Sequence, residues 1–278
     1  MPDAANQFNK SWKLREESLY NHWTPNTPAN QIQLAFKNHW DVFKGLIGNK
    51  SGICLEVGCG RGSISSYFAE NGYVCHLLDY SQEILLIGRE IFKKNGHKGL
   101  PVCGDALNLP YKTNSFDVVV SIGLLEHFEN VSPIISEQLR VLKKNGIMLA
   151  YIVPDMPNNI QKHFNWINKL LKIIFFVISK QSKKSIKPEI YRNNYIPQVY
   201  LDILDKFNIK GALCIGMYPL PMISHSPEFP FSLLPEKIEL ALTNIFNLVL
   251  WLRRIFKNGH PWNCKYDYGQ AFLIYFTK

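Results

Sequence analysis

Between Ile53 and Ser63 a short apolar run, Ile-Cys-Leu-Glu-Val, breaks into glycines at 58, 60 and 62. No other stretch of the chain restricts its fold as strongly. The run predicts a β-strand, a tight turn, and then a helix over Ser63 to Glu70. Glycines let the backbone turn sharply and come close to a ligand that a Cβ would obstruct. The free N–H groups at the start of the following helix point back to the same place. A turn of this kind suits several nucleotide-like ligands. The dinucleotide fingerprint needs a further glycine where this chain has Ser63, so that pattern fails. The lysine of a phosphate-binding loop is also missing, since Arg61-Gly62-Ser63 stands in its place. What is left is an acid, Glu56, just ahead of three alternating glycines.

An acid at that position repels phosphate and attracts an ammonium or sulfonium. Two more apolar runs end in acids: Val74 to Asp79, and Val102-Cys103-Gly104-Asp105. Asp79 falls about one β-α-β unit after Glu56, a placement suited to accepting both hydroxyls of a ribose. Asp105 belongs one strand further on and suits an adenine amino group. Three acids at the C-terminal ends of three successive strands make a nucleoside site.

With these residues in place, the chain resembles the class I S-adenosylmethionine-dependent methyltransferases over roughly residues 50 to 153. Leu55-Glu56-Val57-Gly58-Cys59-Gly60-Arg61-Gly62 is similar to the family's first motif. Asp79, followed by Tyr80, resembles its ribose-binding acid, and Gly104-Asp105-Ala106 its adenine-side motif. Ser115 to Ser121 resembles the fourth strand, Ile122 to His127 the segment after it, and Leu139 to Gly146 the approach to the fifth. Asn145-Gly146 departs from the family's usual Pro-Gly. The resemblance implies a doubly wound α/β fold with a seven-stranded, mostly parallel Rossmann-like sheet. It implies S-adenosylmethionine as cofactor, held by Glu56, Gly58, Cys59, Gly60, Gly62, Asp79, Tyr80, Asp105, Ala106, Ser121, Ile122 and Gly123. It also implies that an N-terminal segment, here Tyr20-Asn21-His22-Trp23, folds over the reacting methyl; simple packing of these aromatics onto the core is the competing reading.

A length of 278 residues, 46% hydrophobic and 19% charged, suits a globular protein with a substantial core. Met1 to Lys13 is polar, so no signal peptide is evident and a cytoplasmic protein is expected. Cys54, Cys75, Cys103 and Cys214 fall in expected strands and no C-x-x-C pair occurs, which reads as reduced core cysteines rather than metal ligands. The net charge of +9 is concentrated at Lys169, Lys172, Lys180, Lys183, Lys184 and Lys187, and again at Arg253, Arg254 and Lys257. Such charge attracts RNA, anionic lipid or an acidic substrate, or is simply a solvated face. The absence of an Asn-Pro-Pro-Tyr acceptor motif and of an appended RNA-binding module argues against nucleic acid.

The expected organisation is a helical extension over 1–50, the cofactor core over 51–153, a helical insertion over 154–196, and a core helix and sixth strand over 197–217. A proline-rich loop and amphipathic helix over 218–262 and a last strand over 263–278 complete it. Expected helices are Asn30 to Leu46, Gln161 to Ser179, Pro197 to Phe207 and Glu236 to Phe256. Ile238, Leu242, Ile245, Leu248, Val249, Leu252 and Ile255 recur at helical spacing in the last of them. One reading packs the apolar faces of the two insertions together as a cap over a small-molecule pocket. The other lays them on an anionic membrane surface, where they admit a lipid or lipid-linked glycan.

His127, beside Glu126 after the fourth strand, is the candidate general base. An architectural role for this pair competes. His163 and His225 are weaker candidates, and no spacing points to a metal. The expected activity is methylation of a small-molecule metabolite, at oxygen in preference to nitrogen or carbon. A non-catalytic S-adenosylmethionine-binding protein is the remaining alternative.

Overall fold

A computed structural model describes residues 22–179, 191–224 and 234–278. The expectations for Tyr20, Asn21, Lys180, Lys183, Lys184, Lys187 and His225 lie outside them. In chain order the elements are α1 (Gln31–Ile47), β1 (Ile53–Val57), α2 (Ser63–Glu70), β2 (Val74–Asp79), α3 (Gln82–Lys94), β3 (Gly99–Cys103) and β4 (Phe116–Ile122). A 3-10 turn (Leu125–His127) leads to α4 (Ser132–Val141), β5 (Leu142–Ile152), α5 (Ile160–Ser179) and α6 (Pro197–Lys206). β6 (Leu213–Met217), α7 (Glu236–Phe256), β7 (Asn263–Cys264) and β8 (Ala271–Thr277) follow.

The sheet order is β3-β2-β1-β4-β5-β8-β6-β7. β1 to β5 run parallel, and β8 enters antiparallel between β5 and β6. The expected seven strands are present, and the two-residue β7 adds an eighth at the edge through Gly216 and Met217. β1 is almost wholly buried, as a strand covered by helices on both faces must be. One face carries Trp40, Phe43, Phe68 and Phe92 from α1, α2 and α3. The other carries Ile134, Ile135 and Leu139 of α4 with Tyr200 and Leu204 of α6. Asn30 caps α1 by accepting from the Gln33 amide at 2.9 Å.

Connections from β1 and β4 leave on opposite sides of the sheet. The crevice at their C-terminal ends is therefore where an open α/β sheet holds a ligand. Two sequence expectations are corrected. Cys54 and Cys75 are core residues, but Cys103 at the end of β3 is exposed. The apolar stripe of α7 does not turn inward: Glu239, Thr243 and Leu250 are buried, while Ile245, Leu248 and Ile255 face solvent. Among the described residues no helix is long and apolar enough to cross a membrane.

Candidate active site

The ends of β1 to β4 enclose a cavity of about 290 Å³. Its wall includes Glu56, Gly58, Cys59, Gly60, Asp79, Tyr80, Asp105, Ala106, Ile122, Gly123 and His127. Three expected residues are not on it. Gly62 sits at φ 69°, and a Cβ there would meet Phe92 Cε2 at 2.9 Å, so its missing side chain makes room for α3 rather than for a ligand. Ser121 and Glu126 are buried behind the wall. Among the described residues, none of α5 or α7 lies on this wall.

The glycine turn is wired for something other than phosphate. The amides of Gly58 and Cys59 both donate to the Leu78 carbonyl at 2.9 Å, and that of Gly62 to the Cys59 carbonyl at 2.8 Å. The Gly60 amide donates to Asp79 Oδ2 at 2.9 Å. These N–H groups are spent inside the turn and cannot cradle a pyrophosphate. Gly58 itself, at φ 71°, brings its backbone against the wall where a Cβ would meet Leu124 Cδ1 at 2.8 Å.

Asp79 ends β2 with its second oxygen accepting from the Ser81 amide at 2.9 Å. A carboxylate offers about four acceptor sites. The two amides hold it rigidly and leave capacity for two ribose hydroxyls. Burial raises its pKa, and the amides of Ser81 and Gly60 oppose that rise. Asp105 accepts from the Leu107 amide at 2.9 Å, which fixes it one strand further along the same wall. The donor set fits a nucleoside bearing a cationic tail.

Glu56 differs from the simple expectation. Its carboxyl is buried and accepts from Ser65 Oγ at 2.5 Å and from the Ser65 amide at 3.2 Å. Burial pushes its pKa up to about 8, against the pull of those two bonds. At neutral pH it therefore keeps its proton until a cation arrives. A bound ammonium or sulfonium near it favours the carboxylate, so binding of S-adenosylmethionine near pH 7 should release up to about one proton. Calorimetry in two buffers of different ionisation enthalpy measures this release. Glu56→Gln should abolish it, and a wild-type value of zero would overturn the assignment.

His127 Nδ1 lies 2.7 Å from the Tyr191 carbonyl. A carbonyl only accepts, so Nδ1 carries the hydrogen and Nε2 is the basic nitrogen. Burial lowers the pKa of this histidine, while the carbonyls of Tyr191 and Gly123 work the other way. It is therefore neutral, and able to take a proton, at physiological pH. Glu126 contributes differently: its backbone carbonyl accepts from the Asn193 amide at 2.7 Å, tying the 3-10 turn to the strap that supplies Tyr191. Its carboxyl is sealed below the wall, and burial raises its pKa to about 7.

Several wall residues escaped the sequence reading: Phe36, Arg61, Ser63, Leu124 and Phe128. Arg61 and Ser63 belong to the glycine turn itself, whose residues Gly58 to Arg61 all line the cavity. Phe36 and His22 come from the N-terminal region. His22 stacks on Phe36 with ring centroids 4.8 Å apart, and its Nδ1 lies 2.9 Å from Ser63 Oγ. Trp23, by contrast, is buried in the core against His97.

Residues 55–150 match the family model described as a methyltransferase domain. Over 178 residues the chain is 32% identical to a demethylmenaquinone methyltransferase of Leptospira interrogans, covering 62% of this chain and 66% of that protein, just under two thirds of its length. It is 28% identical over 127 residues to a ubiquinone biosynthesis O-methyltransferase of Glaesserella parasuis, covering 43% of this chain and 50% of that one. Among solved structures, the YcgJ protein of Bacillus subtilis superposes with a TM-score of 0.56 at 16% identity, over 87% of this chain and 98% of that one.

Proposed function

We propose that this chain is a class I S-adenosylmethionine-dependent methyltransferase that transfers a methyl group from that cofactor to a small-molecule acceptor, at oxygen; the methyltransferase-domain match over residues 55–150 and the likeness to a demethylmenaquinone methyltransferase support this. The observation that carries this reading is the wall itself, where Asp79, Asp105 and Glu56 meet one cavity with His127. When bound, the cofactor supplies a methyl carbon on a sulfonium sulfur, which an acceptor lone pair displaces in line. The chain's own residues do the rest. Asp79 and Asp105 orient the nucleoside, and Glu56 faces the cationic end. Phe36 and Phe128 keep water from the reacting atoms. His127 Nε2 receives the proton that an acceptor hydroxyl loses as its oxygen bonds to carbon. Positioning of this kind contributes several kcal/mol, and a placed base about 10²- to 10⁴-fold.

The oxygen preference rests on His127, kept neutral by burial and fixed in one tautomer by the Tyr191 carbonyl. A lipid or lipid-linked acceptor is a second reading, favoured by the exposed apolar sides of α5 and α7. Incubating the protein with cell extract and isotopically labelled cofactor, then scanning by mass spectrometry for products heavier by one methylene, tests both. A polar product supports the first reading and a lipid-extractable product the second. No labelled product from any extract fraction would favour a binding protein without catalysis. With an acceptor in hand, His127→Asn should lower kcat by roughly 10²-fold or more and remove the acidic limb of the pH–rate profile. Cofactor affinity should change little. A variant that keeps that limb would make His127 architectural.

A further inference from the structure

The two long helices outside the cofactor core each leave an apolar side in the open. α7 buries Glu239, Thr243 and Leu250 and exposes Leu248, Trp251, Ile255 and Phe256, the last at 85% of its full accessibility. α5 exposes Trp166 at 64%, Ile173 at 61% and Val177 at 74%. At about 100° per residue these positions fall on one side of each helix. The opposite sides carry both apolar and polar residues, and their polar residues meet one short segment. Asn168 of α5 donates to the Met222 carbonyl at 2.9 Å and accepts from the Ser224 amide at 2.7 Å. Ser224 Oγ in turn lies 3.4 Å from Glu239 Oε2 of α7, which also accepts from the Gln31 side chain at 3.1 Å.

Soluble monomers rarely leave contiguous apolar faces of this kind in water. The charges beside them indicate what covers them. α5 contains no acid, and exposed Lys169 borders its apolar side, with Lys162 beside it paired to Asp155 at 2.8 Å. Four lysines follow it in the sequence, at 180, 183, 184 and 187. α7 ends in Arg253-Arg254, with Arg254 exposed beside Ile255 and Phe256. An apolar helix face edged by cations and poor in acids fits the interfacial zone of a bilayer with anionic headgroups.

We propose that α5 and α7 form a docking surface for an anionic lipid bilayer, in which Trp166, Ile173, Val177, Leu248, Trp251 and Phe256 enter the headgroup–acyl boundary while the flanking lysines and arginines meet lipid phosphates. This surface is separate from the cofactor cavity, and its test does not depend on methyl transfer.

The full chain is mixed with vesicles of phosphatidylglycerol and phosphatidylcholine, or of phosphatidylcholine alone, and floated on a density gradient. The protein should rise with the anionic vesicles, more strongly at low salt. Trp251→Ser with Phe256→Ser, and separately Ile173→Ser with Val177→Ser, should each weaken this binding by roughly tenfold or more. Lys169→Glu with Arg254→Glu should weaken it on anionic vesicles alone. All substituted side chains are exposed, so melting temperature and S-adenosylhomocysteine affinity should be retained and serve as the folding control. Failure to float, or flotation indifferent to these variants, would overturn the proposal. So would a stable dimer by light scattering that the same apolar variants dissociate, since the face would then belong to a second copy.

Discussion

Asp79→Ala should weaken S-adenosylhomocysteine binding by roughly 100-fold or more. Each hydrogen bond to a carboxylate contributes about 1.5–3 kcal/mol, and about 1.4 kcal/mol is a decade of affinity. Two ribose hydroxyls on one carboxylate therefore exceed two decades before the loss of preorganisation is counted. Preorganisation is lost too, because the Gly60 and Ser81 amides both rest on this side chain. Asp79→Asn separates the contributions: it keeps the volume but replaces one acceptor oxygen by a donor, so it should bind between wild type and alanine. Titration calorimetry on protein shown to be folded by its melting curve measures all three. Wild-type affinity in the alanine variant would sink the ribose assignment.

The second large effect is on stability, at Glu126. Its pKa rises from 4.5 in the unfolded chain to about 7 in the folded one. Between those values the folded carboxyl holds a proton that the unfolded chain has lost. Stability therefore falls as pH rises through this window and levels off above it. The fall amounts to about 3 kcal/mol, an order-of-magnitude figure from the shift. Glu126→Gln has no proton to lose. It should match wild type near pH 4.5 and be more stable by about that amount at pH 8. Urea denaturation of the cofactor-free protein at both pH values shows this directly. A variant gaining nothing at pH 8 would mean that the carboxyl reaches water. Glu56 imposes a similar slope on both proteins and cancels in the difference.

The cofactor side was legible because its signals are local. Three glycines, a strand before them and an acid at the end of each next strand are each readable within a short stretch, and the doubly wound topology brings these separate stretches together. Even Ser63, first useful as the residue that was not glycine, turned out to face the cavity. The electrical state of Glu56 was not legible. Sequence places a carboxylate there, but its proton depends on a burial that only the packed strands and Ser65 define. The acceptor side failed for a different reason. Periodicity reveals that α7 has an apolar stripe but not which way the stripe points. Phe36 reached the cavity from an aromatic-rich helix in which Trp40 and Phe43 went to the core, and spacing alone does not separate them.

The bond between Gln31 and Glu239 fixes the rotation of a helix. An amphipathic helix left to its apolar surface would roll its stripe onto the nearest hydrophobic face. Rolled half a turn, α7 would carry Glu239 into water and leave the Gln31 amide and side chain without their partner beneath it. Buried polar groups without partners cost about 1–3 kcal/mol each. The pair thus acts as a rotational key, accepting α7 in the one orientation that presents Trp251 and Phe256 outward. Polar contacts here do not chiefly hold the helix on; they decide which side of it the rest of the cell meets.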